Sequence, residues 1–504
     1  MPEYVDRVGG QDTILKNPDT SVIPNSGYEQ YDIAQKVLWQ AADSTSLLFN
    51  VQYSTSSEVP RSDQLATYRD GQLRYAEWSY GPQERVLISS ELDILSDNEL
   101  FDKCDLIIAY QHIGEDRITR NFGDPWRFVR QEDVDVFSVN GDFIKRIGNK
   151  DVYFGFEATN NTVESTAYME QIEEGTREAG PTRYPDGGSR MSTMAAYASL
   201  NAKLNGTWVY NLGLRYSHAY SNSKFNQSGF YELPFDFILF DSGALTGSTS
   251  LLWHPSETWE IGASASTGFR SPNVDDYGKV FERAGIVVVP TDNLEAEYTW
   301  NGELRATKKE AEGRYQFEVA GFYTLIDKAI VQVPSTLNGM DSLEYEGQMA
   351  RIAVNANAEQ AYIYGLSSSL TLVLHPDWTW MTTATKTIGE VKGTDAPLAH
   401  IPPFFARTGV DRSGEKTGYG AYVIYNDTKT SGNIAPGRID NADQGLDGAF
   451  PSWYSINAYV NFKLENGLRL SLFVDNLTDV HYKAFASGIS APGRNLGFSL
   501  TCDI

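Results

Sequence analysis

Cysteine, positive charge and long hydrophobic runs are all scarce in this sequence. Among its 504 residues only Cys104 and Cys502 are cysteines, and they stand in no CxxC spacing, so no zinc or thiol-redox motif is present. A disulfide demands a specific geometry, and we expect none between them. Asp and Glu number 66 against 41 Lys and Arg, which gives a net charge of −25. Because nucleic acid is bound by a basic face, we expect no nucleic-acid partner.

A spanning helix, a signal peptide and catalytic motifs are also missing from the pattern. No run of about 20 apolar residues occurs, which excludes a membrane-spanning helix. The start, from Met1 to Asp6, has neither a basic flank nor an apolar stretch. These absences alone would indicate a soluble cytoplasmic protein. No hydrolase, phosphate-loop, dinucleotide or zinc motif stands in its required context, so we expect no enzyme and no cofactor.

What the sequence does contain is apolar–polar alternation with a period of two, which indicates β-strands. In the segment 207–220, one face has aromatic residues at both ends and leucines in the middle. Aromatic rings favour the headgroup level of a membrane and aliphatic chains favour its interior, so this face is suited to lipid. A soluble sandwich also alternates, so periodicity alone leaves both folds open. The face comprises Trp208, Tyr210, Leu212, Leu214, Tyr216, His218 and Tyr220.

The lengths of the connections decide between the two folds. Short turns such as Asn205-Gly206 and His375-Pro376-Asp377 alternate with long polar stretches at 164–190, 221–243, 272–294, 334–357 and 430–451. Outer-membrane barrels have this asymmetry, with short periplasmic turns and long outer loops. We therefore predict an all-β fold, a transmembrane antiparallel β-barrel, with about 19 strands between Tyr31 and Ile504.

The directions of the first and last strands bear on closure of this barrel. The strand at Tyr31 runs towards the short turns, because the turn around Ala42-Asp43 follows it. The last strand runs the same way, since the long connection 479–494 precedes it. Strands that run in the same direction cannot pair in an antiparallel sheet, and single-chain bacterial barrels have an even strand number. The sequence thus predicts that an odd number of strands is missing on the N-terminal side.

Six stretches resemble motifs of the TonB-dependent outer-membrane receptors, particularly those of Bacteroidetes-type bacteria. The segments 268–276 (GFRSPNVDD) and 290–295 (PTDNLE) look like the FRAP-type and NPNL-type boxes that flank one outer loop in receptors for haem and other iron compounds. The other four stretches lie at 53–63, 77–85, 400–403 and 475–479. Their order and spacing extend the resemblance from residue 30 to the end of the chain.

The resemblance implies a 22-stranded barrel around an N-terminal plug, with a TonB box that passes energy from the inner membrane. It also implies that the signal peptide, TonB box, plug and first strands lie outside this sequence. Residues 1–30 are then part of an outer loop, and 31–504 are an incomplete receptor barrel. The implied location is the outer membrane of a Gram-negative bacterium. The implied partners are outer-membrane lipid and, through the absent N-terminal part, the TonB–ExbB–ExbD complex.

The two boxes supply the candidate ligand-binding residues. If the register from Trp259 continues, Phe269 faces outward and Arg270 faces the lumen, where it would hold a carboxylate of haem or a siderophore in a bidentate contact. The alternative is that Arg270 pairs with an acidic lumen residue and Pro272 only ends the strand. No histidine lies between the boxes, which disfavours haem, and His400 and His481 remain as outer candidates. The candidate set is Phe269, Arg270, Ser271, Pro272, Asn293, Leu294 and His481, with no metal site.

We therefore expect active uptake of a bulky, scarce ligand, such as a siderophore, haem or another iron compound. Two alternatives stay open within the barrel fold, a passive porin-like channel and a degenerate barrel that does not transport. A soluble β-rich binding protein or an outer-membrane enzyme is a third hypothesis. Heat-modifiable migration in detergent gels separates the barrels from this last class.

Overall fold

Nineteen long strands, each antiparallel to its neighbours, form a sheet that curls into a barrel within the part of the chain that is described. The computed structural model describes residues 1–226, 232–283, 285–310, 312–358, 360–436, 440–446, 448–465 and 467–502. The strands are β1 Gln30–Ala42, β2 Thr45–Ser56, β3 Tyr75–Leu95, β4 Lys103–Asn121, β5 Trp126–Ile147, β6 Lys150–Gln171, β7 Ser189–Lys203, β8 Trp208–Lys224, β9 Phe237–Ser256, β10 Trp259–Arg270, β11 Glu297–Lys309, β12 Tyr315–Asp327, β13 Gln360–His375, β14 Trp378–Val391, β15 Phe405–Ser413, β16 Thr417–Asn426, β17 Trp453–Lys463, β18 Leu468–Asp475 and β19 Asn495–Cys502.

This architecture confirms the predicted antiparallel barrel. Connections at one end, which we call the short-turn end, are brief, such as residues 148–149 between β5 and β6. Connections at the opposite, long-loop end reach the length of residues 271–296 or 328–359. The predicted loop at 164–190 began too early, because β6 continues to Gln171. One connection at the long-loop end is short, namely residues 122–125 between β4 and β5.

The outward face of the barrel is apolar and exposed. On β8, Leu214 and Tyr216 are 53% and 52% exposed, and they lie on the face that the sequence assigned to lipid. At the short-turn end Trp208 stacks on Trp253 of β9, with ring centroids 5.4 Å apart. Water would penalise such a continuous apolar band, whereas lipid is a matching solvent for it.

The first and last strands are the edges of the hydrogen-bonded series. Backbone pairings lead from β1 through every strand to β19, and among the described residues none joins β1 to β19. All 13 residues of β1 are exposed, as are seven of the eight in β19. Both strands run from the long-loop end to the short-turn end, because β1 precedes a short turn and β19 follows a long loop.

Helices are few and short. They are α1 Ser62–Leu65, α2 Val274–Tyr277 and the 3-10 turns Ser431–Asn433 and Ala442–Gln444. Within the described residues, no helix has the length and apolar character needed to cross a membrane. No disulfide joins Cys104 and Cys502.

Three smaller structures occupy the long-loop end. An N-terminal hairpin pairs Glu3–Val8 with Gln11–Lys16, and a ribbon pairs Tyr68–Arg69 with Gln72–Leu73. A five-stranded loop sheet joins two of the long loops around a small aliphatic core. The loop sheet comprises Phe281–Arg283, Ile286–Val288, Ile330–Pro334, Ser342–Tyr345 and Gln348–Asn357.

A buried ion pair fixes the N-terminal hairpin to the long-loop end. The carboxylate of Asp12 accepts hydrogen bonds of 2.7 and 2.9 Å from both terminal nitrogens of Arg120, and a third of 2.8 Å from the backbone N–H of Gly123. The side chains of Asp12 and Arg120 are only 4% and 3% exposed. The first residues of the chain are therefore held against β4 and its connection to β5.

Candidate functional site

A cavity of about 960 Å³ lies at the long-loop end and is strongly cationic. Eight basic side chains line it, against three carboxylates, although the chain as a whole carries a net charge of −25. Positive charge is thus concentrated at this one place. The basic residues are Arg61, Arg69, Arg74, Arg117, Arg130, Arg183, Arg283 and Lys483, and the acidic ones are Asp63, Glu282 and Glu346.

Strand length on one side of the barrel and loops on the other bring these residues together. Strands β3 to β6 have 19 to 22 residues, whereas β15 to β19 have 8 to 11. At about 3.3 Å per residue, the longer strands extend well beyond the apolar band of a membrane. We call strands β3 to β6 the tall wall and strands β15 to β19 the low side. The tall wall presents Trp78, Tyr80, Arg117 and Arg130 to the cavity. The loops 427–452 and 476–494 of the low side supply the opposing surface.

Arg61 is held in the cavity wall by hydrogen bonds and by two aromatic rings. Its Nε and Nη2 donate to the two oxygens of Asp63 at 2.8 and 2.7 Å, and its guanidinium lies 4.8 Å from the ring centre of Trp78 and 4.9 Å from that of Tyr80. Arg117 approaches the same Tyr80 ring at 4.7 Å. Burial by itself raises the pKa of Asp63, but the hydrogen bonds and charge of Arg61 outweigh it and hold the pKa below its usual value. Asp63 therefore remains ionised at neutral pH.

Two further ion pairs join the loop sheet to the tall wall. Arg74 donates to Glu282 at 2.7 Å, and Arg130 donates to Glu346 at 2.6 Å. Glu346 and Gly347 both have positive φ, as a two-residue hairpin turn requires, and this turn places the Glu346 carboxylate beside β5. Burial raises the pKa of the neighbouring Tyr345 to about 12, so its hydroxyl stays neutral.

Several polar atoms of the cavity lining are buried without a partner among the described residues. They are the Nε–H groups of Arg74, Arg117 and Arg183 and the side-chain oxygen of Gln444. Buried donors are almost always satisfied in folded proteins, because an unmade hydrogen bond costs about 1 to 3 kcal/mol. These four atoms have almost no accessible surface, so a ligand in the cavity reaches them only if side chains move.

The residues of the first predicted box brace the loop that follows β10. Arg270 donates to Asp276 at 2.6 and 2.7 Å and to Glu297 at 2.6 Å. Asp276 also accepts from the backbone of Asn273 and thus completes the capping box of α2. Phe269 packs against the ring of Tyr298 at 5.4 Å.

The remaining predicted residues have similar local contacts. Ser271 accepts a 3.1 Å hydrogen bond from Ser242, and Pro272 is fully buried. Leu294 is 6% exposed and belongs to a core cluster with Phe225, Ile238 and Tyr277, while Asn293 beside it is exposed. His481 is exposed, with its Nε2 2.8 Å from Ser490 Oγ.

The structure therefore gathers the two boxes around α2 and places His481 in a different loop. None of the seven predicted residues lines the cationic cavity. Their role in ligand binding stays a prediction. The arginines of the cavity were missed because they come from separate loops and strands with no common spacing. The available signal was their concentration near the long-loop ends of strands in an otherwise acidic chain.

The outward apolar band, the alternating connections and the cavity at one end define a class, the large ligand-binding barrels of outer membranes. The chain belongs to one family of that class, since the family model "TonB dependent receptor-like, beta-barrel" matches residues 5–477. Barrels of this family are outer-membrane proteins of Gram-negative bacteria.

Known relatives are distant in sequence and close in fold. The pesticin receptor of Yersinia pestis is 22% identical over 324 residues, which are 62% of this chain and 44% of that receptor, so the chain spans less than half of this curated relative. The copper transporter OprC superposes with a TM-score of 0.76 at 14% identity, over 94% of this chain and 71% of OprC. The siderophore receptor PiuA from Acinetobacter baumannii gives 0.68 at 13% identity, over 94% and 74%. These relatives are named as receptors and transporters, not as enzymes.

Proposed function

We propose that this chain is the barrel of an outer-membrane uptake receptor whose cationic cavity binds a bulky anionic iron chelate. A ferric siderophore is the first candidate, and haem or another iron compound follows. The observation that carries the proposal is the excess of guanidinium groups in a cavity of an acidic protein. PiuA and the pesticin receptor, which the chain resembles, are named as receptors.

Size and surface chemistry support a ligand of this kind. A volume of about 960 Å³ lies at the upper end of the range for small-molecule sites, so a compact metal chelate fits. Guanidinium groups bind carboxylate and phenolate oxygens through charge-assisted hydrogen bonds. The rings of Trp78 and Tyr80 contact the guanidinium groups of Arg61 and Arg117 and so hold these charges at the cavity wall.

The domain division and the energy source are part of the same proposal. The proposed division assigns residues 1–30 to an outer loop and residues 31–504 to an incomplete receptor barrel. An odd number of further strands would connect β1 and β19 with antiparallel pairing, because these edges run in the same direction. A plug and a TonB-contacting segment would precede them, and outer-membrane lipid would surround the barrel. An in-frame coding sequence ahead of Met1 that specifies these parts is the expected finding.

Ligand binding tests the charge argument directly. The purified protein is titrated with a trianionic ferric tricatecholate and with a neutral ferric trihydroxamate of similar size, and tryptophan fluorescence is followed because Trp78 lines the cavity. We expect the anionic chelate to bind more tightly at low salt, and Arg117→Gln or Arg183→Gln to weaken it about tenfold, the effect of one lost charge-assisted hydrogen bond.

The control is Arg314→Gln, which changes an exposed arginine at the short-turn end. This variant should bind like the wild type, and heat-modifiable migration should show that all variants are folded. Equal affinity for the two chelates, or equal effects of Arg117→Gln and Arg314→Gln, would contradict the proposed ligand class. Steady ion conductance without chelate binding would favour a porin.

A further inference from the structure

A groove of about 900 Å³ crosses the outward face of the barrel, and its lining differs chemically from that of the cationic cavity. It spans strands β9 to β14, and its surface is almost entirely apolar. Small and large residues alternate across neighbouring strands to form it. At one level Leu304 of β11 lies opposite Gly321 of β12, which in turn lies opposite Leu366 of β13.

In the neighbouring row of paired residues, the order of small and large side chains across the strands is reversed. Gly302 lies between Ala265 of β10 and Tyr323 of β12. Directly opposite residues share one face of a sheet, so the small residues form a floor between bulky neighbours. Leu304 and Leu366, 68% and 61% exposed, stand beside this floor. A Cβ added at Gly302 would meet no atom within 4 Å, whereas one added at Gly321 would lie 3.1 Å from Leu366 Cδ2, so the floor is open at Gly302.

One cation interrupts this apolar surface. Lys386 of β14 lies directly opposite Leu366 and therefore shares the outward face, where its side chain is exposed. Among the described residues no hydrogen bond or ion pair to its amine is found. The rings of Tyr323, Tyr362 and Tyr364 lie 6.1 to 6.5 Å apart beside it. Tyrosines gather at the headgroup level of membranes, so Lys386 lies close to that level.

We propose that this groove binds one lipid, with an acyl chain on the glycine and alanine floor and an anionic, phosphorylated head group on Lys386. The small residues leave space above the backbone, and an acyl chain that fills this space makes close van der Waals contacts with the floor. A phosphate supplies the counter-charge for Lys386 in surroundings of low polarity. An apolar helix of a protein partner would instead cover an uncompensated cation, which is costly in a membrane.

Native mass spectrometry of the detergent-purified protein tests this inference. Dioleoyl phosphatidylglycerol and dioleoyl phosphatidylcholine have the same chains but differ in net head-group charge. We expect one phosphatidylglycerol to be retained about tenfold more strongly than phosphatidylcholine, in line with one charge-assisted contact. Lys386→Gln should abolish this preference, and Gly302→Leu, which fills the floor, should weaken retention of both lipids.

Lys308→Gln is the matched control, because Lys308 pairs with the outward Trp259 near the short-turn end. It should leave both lipids unaffected. Should Gly302→Leu fail to show heat-modifiable migration, Gly302→Ala and Lys386→Gln decide the question. Equal retention of the two lipids by the wild type, or equal effects of Lys386→Gln and Lys308→Gln, overturns the inference. A dimer mass that Gly302→Leu converts to monomer overturns it in favour of a second copy as the occupant.

Discussion

Leu294→Ala tests whether the second predicted box is a core element of the loops. Leu294 is 6% exposed and packs with Phe225, Ile238 and Tyr277. Truncation of a buried leucine costs about 2 to 5 kcal/mol, and a loop cluster that relaxes partly lies near the lower end, about 2 to 3 kcal/mol. Leu294 itself lies in a loop, and of its three partners only Ile238 belongs to a barrel strand, near the start of β9, so we expect local opening of the loop while the barrel stays folded.

Hydrogen exchange of the segment 286–296 measures that local opening. A loss of about 2 to 3 kcal/mol raises the population of the open state about 30- to 150-fold, so exchange of the Thr291 amide, which donates to Tyr277 at 2.9 Å, accelerates by the same factor. Asn293→Ala, at the exposed neighbouring position, is the control and should leave exchange within about twofold. Unchanged exchange in Leu294→Ala would refute the assigned core role.

Three further predictions concern the long-loop end. Asp12→Asn breaks the buried pair with Arg120, costs about 3 kcal/mol and should speed tryptic cleavage after Lys16, whereas the exposed Asp6→Asn should not. Burial by itself raises the pKa of Asp12, but the hydrogen bonds from Arg120 and Gly123 hold it below its usual 3.8. The stabilisation by the ionised Asp12 is therefore fully present above about pH 4 and is lost as the pH falls through the folded-state pKa. Acid should then release the hairpin in the wild type, which limited proteolysis with an acid-active protease measures. Asp12→Asn should lack this pH dependence. Asp276→Ala removes the reciprocal half of the capping box of α2 and two contacts of Arg270, while the N-cap Asn273 stays. The loss costs about 1 kcal/mol and should accelerate exchange of the Gly278 amide; unchanged exchange would contradict the capping role.

The fold could be predicted because its determinants are local. The two-residue alternation from Trp208 to Tyr216 assigns the outward face directly, since a strand places successive side chains on opposite faces. Short turns and long loops are likewise contiguous in sequence. Even the common direction of β1 and β19 follows from which connections precede and follow them.

The cavity could not be predicted in this way because its residues are brought together only by closure of the sheet. Arg117 and Arg130 lie on paired strands, but Arg61, Arg183 and Lys483 come from three separate loops. The two sequence boxes instead predicted residues that stand in strong local patterns. Part of their bracing role was visible in the sequence, since Asn273 and Asp276 have the spacing of a capping box.

The unequal strand lengths give the long-loop end two halves of different stiffness. On the side of β3 to β6, antiparallel pairing extends along strands of 19 to 22 residues, so Arg117 and Arg130 are attached to hydrogen-bonded sheet. The opposite side of the cavity is lined by the loops 427–452 and 476–494, which connect strands of 8 to 11 residues. The proposed anionic ligand would therefore meet Arg117 and Arg130 in positions that the sheet already sets, and adjustment to its shape would fall to the loop side.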